Sequence, residues 1–232
     1  MEGKAVLEHL DELRSRLIII ISCLLLFFGI GVSISLIILN KLASDILIPE
    51  VTLVSLSPLE ILYTQIYIGF ILAIALTLPI ICYHTIMFIR PGLNKAEIQA
   101  IKYILPSFFL LFALGMVFSY NIILEISLAF FAGLGGFSNI QNYWSVYKFI
   151  SFITLVCTIS ALIFELPLLI LLLNRLKIVD ISYLKKKRKY TYLIAFIFAA
   201  VITPPDAFTQ ILIAIPIIIL FELSFILIKI IE

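Results

Sequence analysis

Charge is what this chain has least of: 13% of its residues are charged, against about a quarter in a soluble domain. Hydrophobic residues make up 63%, and the mean hydropathy is +1.24. A water-soluble globule of this length cannot bury that much apolar side chain, which excludes an ordinary cytosolic enzyme and a nucleic-acid binder. Cysteine is nearly absent too. Cys23, Cys82 and Cys157 lie inside apolar runs, without metal-ligand spacing or a partner in a polar loop, so neither a disulfide framework nor a zinc site is expected. Catalytic signatures are missing as well: no HExxH, no GxSxG, no paired-aspartate arrangement. Gly133-Leu134-Gly135-Gly136 lacks the Lys-Ser/Thr of a phosphate loop. The expectation is a non-enzymatic protein without cofactor or metal.

Long apolar runs are what the chain does have. A helix needs about 20 apolar residues to cross a hydrocarbon core of about 30 Å. Runs over residues 17–39, 66–89, 103–131 and 149–173 meet that length. A final apolar stretch is cut by Thr203-Pro204-Pro205-Asp206. Two prolines and an aspartate cannot continue a lipid-exposed helix, so this stretch is expected to form two helices, 190–203 and 208–228. The fold class is therefore an all-α integral membrane protein with six transmembrane helices. Fourteen of the sixteen basic residues then fall on one side, leaving only Lys41 and Lys148 on the other. Basic loops stay on the cytoplasmic side, which puts both termini in the cytoplasm or its stromal equivalent. The first run is too long for a signal-peptide core and lacks a small-residue cleavage site, so no cleavable leader is expected. The chain holds 46 isoleucines against 15 alanines, which hints at an AT-rich genome. A plastid thylakoid membrane fits an organelle-encoded protein; otherwise the bacterial inner membrane fits.

The last two spans are expected to be short. Residues 190–203 extend only about 21 Å at about 1.5 Å per residue, and the last helix meets Glu222 after a similar distance. Such a pair thins the bilayer locally or sits behind longer neighbours, unless flanking Lys and Tyr residues snorkel to hide the mismatch. Glu165 lies well inside the fourth span, two residues before Pro167. A carboxylate at mid-bilayer costs about 2.5–3.5 kcal/mol on insertion scales. Two readings stand: a protonated side chain bonding backbone freed by Pro167, or a polar docking point for another membrane helix or a passing chain.

Two polar segments lie on the basic side. In the first, Val6, Leu10, Leu13 and Leu17 share one helical face, while Glu8, Glu12 and Arg16 share the other. This predicts an amphipathic helix on the membrane surface that runs into the first span. Glu12 and Arg16 are spaced for an i,i+4 pair worth a few tenths of a kcal/mol. In the second segment, Pro91-Gly92 ends the second span behind Phe88, and Asn94 with Glu97 fits a capping box for the next helix.

These elements, in this order, resemble the TatC family, the polytopic core of the twin-arginine protein translocase. The matching elements are His9-Leu10-Asp11-Glu12-Leu13-Arg14-Ser15-Arg16-Leu17, Ser57-Pro58, Pro91-Gly92-Leu93 with Glu97, Phe164-Glu165-Leu166-Pro167, Lys186-Lys187-Arg188 and Thr203-Pro204-Pro205-Asp206. Gln210, Ala214-Ile215-Pro216 and Phe221-Glu222 follow the last of them, so the resemblance covers nearly the whole chain as one membrane domain, 1–232. It implies a receptor for signal peptides with two consecutive arginines, bound by Glu12 and Glu97 with Phe88 beside them. It also implies docking of single-span TatA/TatB-type partners at Thr203 and Gln210, contact of Glu165 with a partner helix or the inserting peptide, self-association, and transport of folded proteins driven by the proton-motive force. A small secondary transporter is the main alternative on composition, but no internal repeat of broken helices is visible.

Overall fold

The computed structural model describes residues 2–45, 51–89, 95–136, 141–175, 178–203 and 206–231. Helices dominate, in the order α1 (Glu2–Asp45), α2 (Glu60–Ile89), α3 (Lys95–Phe118), α4 (Leu124–Gly136), α5 (Val146–Phe164), α6 (Leu166–Arg175), α7 (Ile181–Lys186), α8 (Arg188–Ile202) and α9 (Ala207–Ile231). Two short strands, β1 (Val51–Val54) and β2 (Asn142–Ser145), form a two-stranded sheet. Among the described residues, five helical stretches are long and apolar enough to cross a membrane: Leu10–Asp45, Glu60–Phe88, Pro106–Leu134, Val146–Arg175 and Ala207–Lys229.

The sixth expected span is α8. Its 15 residues extend about 22 Å, short of a hydrocarbon core of about 30 Å. The expectation of a matched short pair needs correcting for the last helix, because α9 runs for 25 residues. Glu222 does not end it: Tyr192 and Arg188 of α8 engage its carboxylate, so the apolar helix continues beyond. Other boundaries differ for equally local reasons. No break separates the N-terminal amphipathic turns from the first span, so they continue its axis instead of bending along the surface. Helix-favouring residues and the absence of proline there explain the continuity. The third span carries a π-helical turn over Ser119–Ile123 between α3 and α4. The fourth is interrupted at Glu165, whose N–H bonds the Leu162 carbonyl in a tighter i,i−3 pattern. Pro167, with no N–H to donate, sits in the first turn of α6, where that loss is tolerated.

The chain forms two compact units. The first comprises Met1–Asp45, Val54–Leu105 and Ser145–Ser151, and α1 packed on α2 makes most of it. The two helices cross at glycines. A Cβ on Gly31 would stand 2.9 Å from the Gly69 Cα, and one on Gly69 would stand 2.5 Å from Val32 Cγ2. Small residues permit this backbone approach, which is how membrane helices gain packing without a hydrophobic driving force. Glu60, at the start of α2, is buried and pins the remaining segment of the unit. Its Oε1 accepts from Ser145 Oγ at 2.5 Å and from the Tyr147 N–H at 3.0 Å, and its Oε2 accepts from the Leu56 N–H.

The second unit comprises Ile46–Leu53, Pro106–Trp144 and Phe152–Glu232. Another small-residue crossing holds it: a Cβ on Gly115 of α3 would lie 2.7 Å from the Ala161 Cα of α5. α9 packs against both α6 and α8, burying Ile170, Phe221, Phe225 and Ile228 in one cluster. Asp206 caps α9 by accepting from the Thr209 N–H at 2.7 Å. Asp180 caps α7 through the Ser182 N–H at 2.9 Å, which holds its carboxyl below the usual carboxylate range.

Candidate functional site

The basic-side end of the α1·α2 pair gathers most of the residues expected to meet a peptide. Glu12 and Arg16 are one turn apart on α1 and form the predicted ion pair. One carboxylate oxygen takes two donors of the guanidinium fork: Glu12 Oε1 accepts from Arg16 Nε at 3.0 Å and from Nη2 at 2.5 Å. The third nitrogen, Arg16 Nη1, lies 3.4 Å from Nδ1 of His84 on α2. An arginine can only donate, so the histidine nitrogen takes the acceptor role. Phe88 follows His84 by one helical turn on the same face of α2. The structure thus joins Glu12 to the α2 face that carries Phe88, through Arg16 and His84.

Glu97 falls at the third residue of α3, the position a capping box requires. Its side chain lies outside the described residues, as do Asn94 and the Arg90–Asn94 loop. His84 and Glu60 are contributions that sequence reasoning missed. His84 had a signal, the i,i+4 spacing to Phe88. Glu60 had only its place after Ser57-Pro58, whose Ser57 carbonyl accepts the Glu60 N–H at 3.1 Å.

The residues expected to meet a partner helix belong to the second unit. Glu165 is buried at the α5–α6 break, 6% exposed; among the described residues its carboxyl oxygens have no side-chain partner, and the backbone of Phe112 on α3 faces them. An unpaired buried carboxyl costs the full desolvation of the group. An apolar groove of about 330 Å³ flanks this break, lined by Ile159, Leu162 and Leu166, by Ile194 and Phe198 of α8, and by Ile217 of α9. Thr203 and Gln210 are different, for their polar atoms are engaged within the α8·α9 hairpin. Thr203 Oγ1 donates to the Ala199 carbonyl at 3.0 Å, and Gln210 Nε2 to the Phe196 carbonyl at 3.1 Å.

Fold and site together define a multi-pass α-helical membrane protein with a carboxylate–guanidinium cluster at one end of a helix pair. The chain matches the family described as Sec-independent protein translocase protein (TatC) over residues 8–216. It is 37% identical over 220 residues to the Sec-independent protein translocase protein TatC of Aquifex aeolicus, covering 94% of this chain and 91% of that protein. It is 34% identical over 237 residues to the TatC of Carboxydothermus hydrogenoformans, covering 100% of this chain and 96% of the other. Among solved structures it matches the crystal structure of the twin arginine translocase receptor TatC at 37% identity. That match has a TM-score of 0.85 and covers 96% of this chain and 98% of that one. The chain belongs to the TatC family. It is a subunit of the Sec-independent, twin-arginine translocase, a protein-transport component and not a catalytic enzyme. The relatives named come from bacteria, which fits the bacterial inner membrane.

Proposed function

We propose that this subunit is the receptor of its translocase, binding signal peptides that carry two consecutive arginines through Glu12 and Glu97 with Phe88 alongside. The observation that carries this reading is the guanidinium already seated on Glu12, with two of its nitrogens on one carboxylate oxygen. A carboxylate that accepts a resident arginine in this way has the geometry to accept a visiting one. The fork distinguishes arginine from lysine, whose ammonium is a point charge. Glu97, opening α3 from the same basic side, supplies the second acid. The aromatic ring of Phe88 offers a face for the peptide's apolar residues or for an arginine plane.

Transport of folded precursors, driven by the proton-motive force, then needs single-span TatA/TatB-type partners and association between copies of the chain. Glu165 is the polar point such a helix meets: among the described residues its buried carboxyl has no side-chain partner, and it lies at the helix break whose Leu166 lines the apolar groove. Thr203 and Gln210 act by shaping the short hairpin against which the partner rests. Site-specific photo-cross-linking from positions beside Glu97 tests the receptor reading. A peptide with Arg-Arg should cross-link, one with Lys-Lys should not, and Glu12→Gln with Glu97→Gln should abolish the signal in an inserted protein. Undiminished cross-linking in that double variant removes both acids from the site. Glu165→Ala should keep peptide cross-linking but lose co-purification with the single-span partners; normal co-purification would make Glu165 structural.

A further inference from the structure

Arg16 is not one of the residues expected to bind peptide, yet it occupies the acid that is. Its guanidinium reaches Glu12 Oε1 through Nε and Nη2, while Nη1 reaches toward His84 on the neighbouring helix. The pair is only partly shielded: the Arg16 side chain is 19% exposed and that of Glu12 35%. We propose that Arg16 is a resident competitor, a stand-in for the ligand's arginine that any cationic peptide must displace from Glu12, and that this exchange lowers the affinity of every such peptide, so that only one with two guanidiniums clears the threshold for useful binding. The inference rests on the receptor reading above.

The physical argument is one of exchange. When an incoming guanidinium replaces Arg16, one forked charge-assisted contact is lost and one is made, so the cost is small. When an ammonium replaces it, a forked contact is lost and a single, strongly hydrated point contact is made. The resident arginine thus subtracts nearly the same free energy from every ligand: the fork still sets the preference for a guanidinium, and the competitor pushes the weaker ammonium ligand below useful binding. His84 makes displacement practicable: Arg16 keeps a hydrogen-bond acceptor beside Nη1 after it leaves Glu12, so it is not stranded. A cost common to both ligands cancels from the difference of their affinities, so the competitor sets a threshold while the fork sets the preference.

The test uses the full chain in lipid nanodiscs and two synthetic signal peptides, identical except for Arg-Arg or Lys-Lys, with affinity read by fluorescence anisotropy. In Arg16→Gln both peptides should bind more tightly, each by about three- to tenfold, with the ratio between them little changed. Arg16→Lys keeps the charge but removes the fork, and should shift both affinities in the same direction by a smaller amount; it carries the test if Arg16→Gln fails to insert. His84→Leu removes the second hold, tightens Arg16 on Glu12, and should weaken Arg-Arg binding. Absolute affinities left unchanged for both peptides in both Arg16 variants overturn the proposal, as does weaker Arg-Arg binding in either. A wild-type chain that binds both peptides equally, and is indifferent to Glu12→Gln, sinks the receptor reading itself. A wild-type preference that Glu12→Gln abolishes, with absolute affinities that the Arg16 variants leave unchanged, sinks the competitor alone.

Discussion

Two Glu–Arg pairs, one in each compact unit, have the same chemistry and opposite connectivity. Glu12 and Arg16 sit one turn apart on α1 at 2.5 Å. Glu222 and Arg188 meet at 2.8 Å from different helices, α9 and α8, and Tyr192 donates to the other Glu222 oxygen at 2.5 Å. Arg188 also lies over the Phe225 ring, 5.0 Å from its centroid. Exposure does not account for the contrast, since the arginine of the clasp between helices is the more exposed, 43% for Arg188 against 19% for Arg16. The separation lies in what each pair closes. The first closes a turn of a helix already held by the glycine crossing with α2. The second closes the open end of a helix pair that is joined through residues 203–206 at the other end. A local pair can open and leave the fold standing; a clasp between two helices cannot open without loosening both.

The largest expected effect breaks the premise that the glycine crossing, not the ion pair, holds α1. Gly69→Leu puts a branched side chain where even a Cβ would meet Val32 Cγ2 at 2.5 Å. Overpacking of this kind should cost about 3 kcal/mol, read as a fall in the detergent-solubilised unfolding midpoint. A midpoint within error of wild type would mean that α1 and α2 part easily. Next comes Glu222→Ala, which strands Arg188 and the Tyr192 hydroxyl together. After allowing for the share of the pair that water screens, the loss should be about 1–2 kcal/mol in the same assay. A double-mutant cycle with Arg188→Ala sharpens this, because a coupled clasp gives a non-additive pair. Tyr192→Phe removes one of the two donors and should give a smaller fall than Glu222→Ala; an equal fall would assign the clasp to the tyrosine alone.

What the sequence made legible follows the same division between local and long-range. Hydrophobic runs and the Pro204-Pro205 break located the apolar helices, because membrane length is a one-dimensional constraint that composition states directly. The Glu12–Arg16 pair was legible because i,i+4 spacing is a property of one helix. The interruption at Glu165 was not expected, since residues 149–173 read as one continuous run; Pro167 was in view only as a source of freed backbone. The partner of Arg188 was not legible, since Glu222 lies 34 positions away, and the acid instead suggested a short last helix. Glu60 was equally opaque: its partners Ser145 and Tyr147 are brought to it by the fold, 85 and 87 positions along the chain. The glycine crossing was missed because Gly31 and Gly69 gain meaning only when two helices meet. Of the candidate site, the acids and Phe88 came from the family resemblance, while His84 came from geometry.

The smallest expected effect on folding is the one that most sharpens the contrast. Glu12→Ala removes an i,i+4 pair on a helix that the crossing at Gly31 and Gly69 holds independently. Its stability cost should be about 0.3–0.5 kcal/mol, while binding of an Arg-Arg peptide should fall at least about tenfold, the loss of a charge-assisted forked contact. The two readouts must diverge if Glu12 serves a ligand. Glu222→Ala should show the reverse, a clear loss of stability with peptide affinity changed little in whatever fraction stays folded. If Glu12→Ala lowered the unfolding midpoint as far as Glu222→Ala does, Glu12 would be a second structural fastening. The guanidinium on it would then be a permanent partner, not a place held for an incoming arginine.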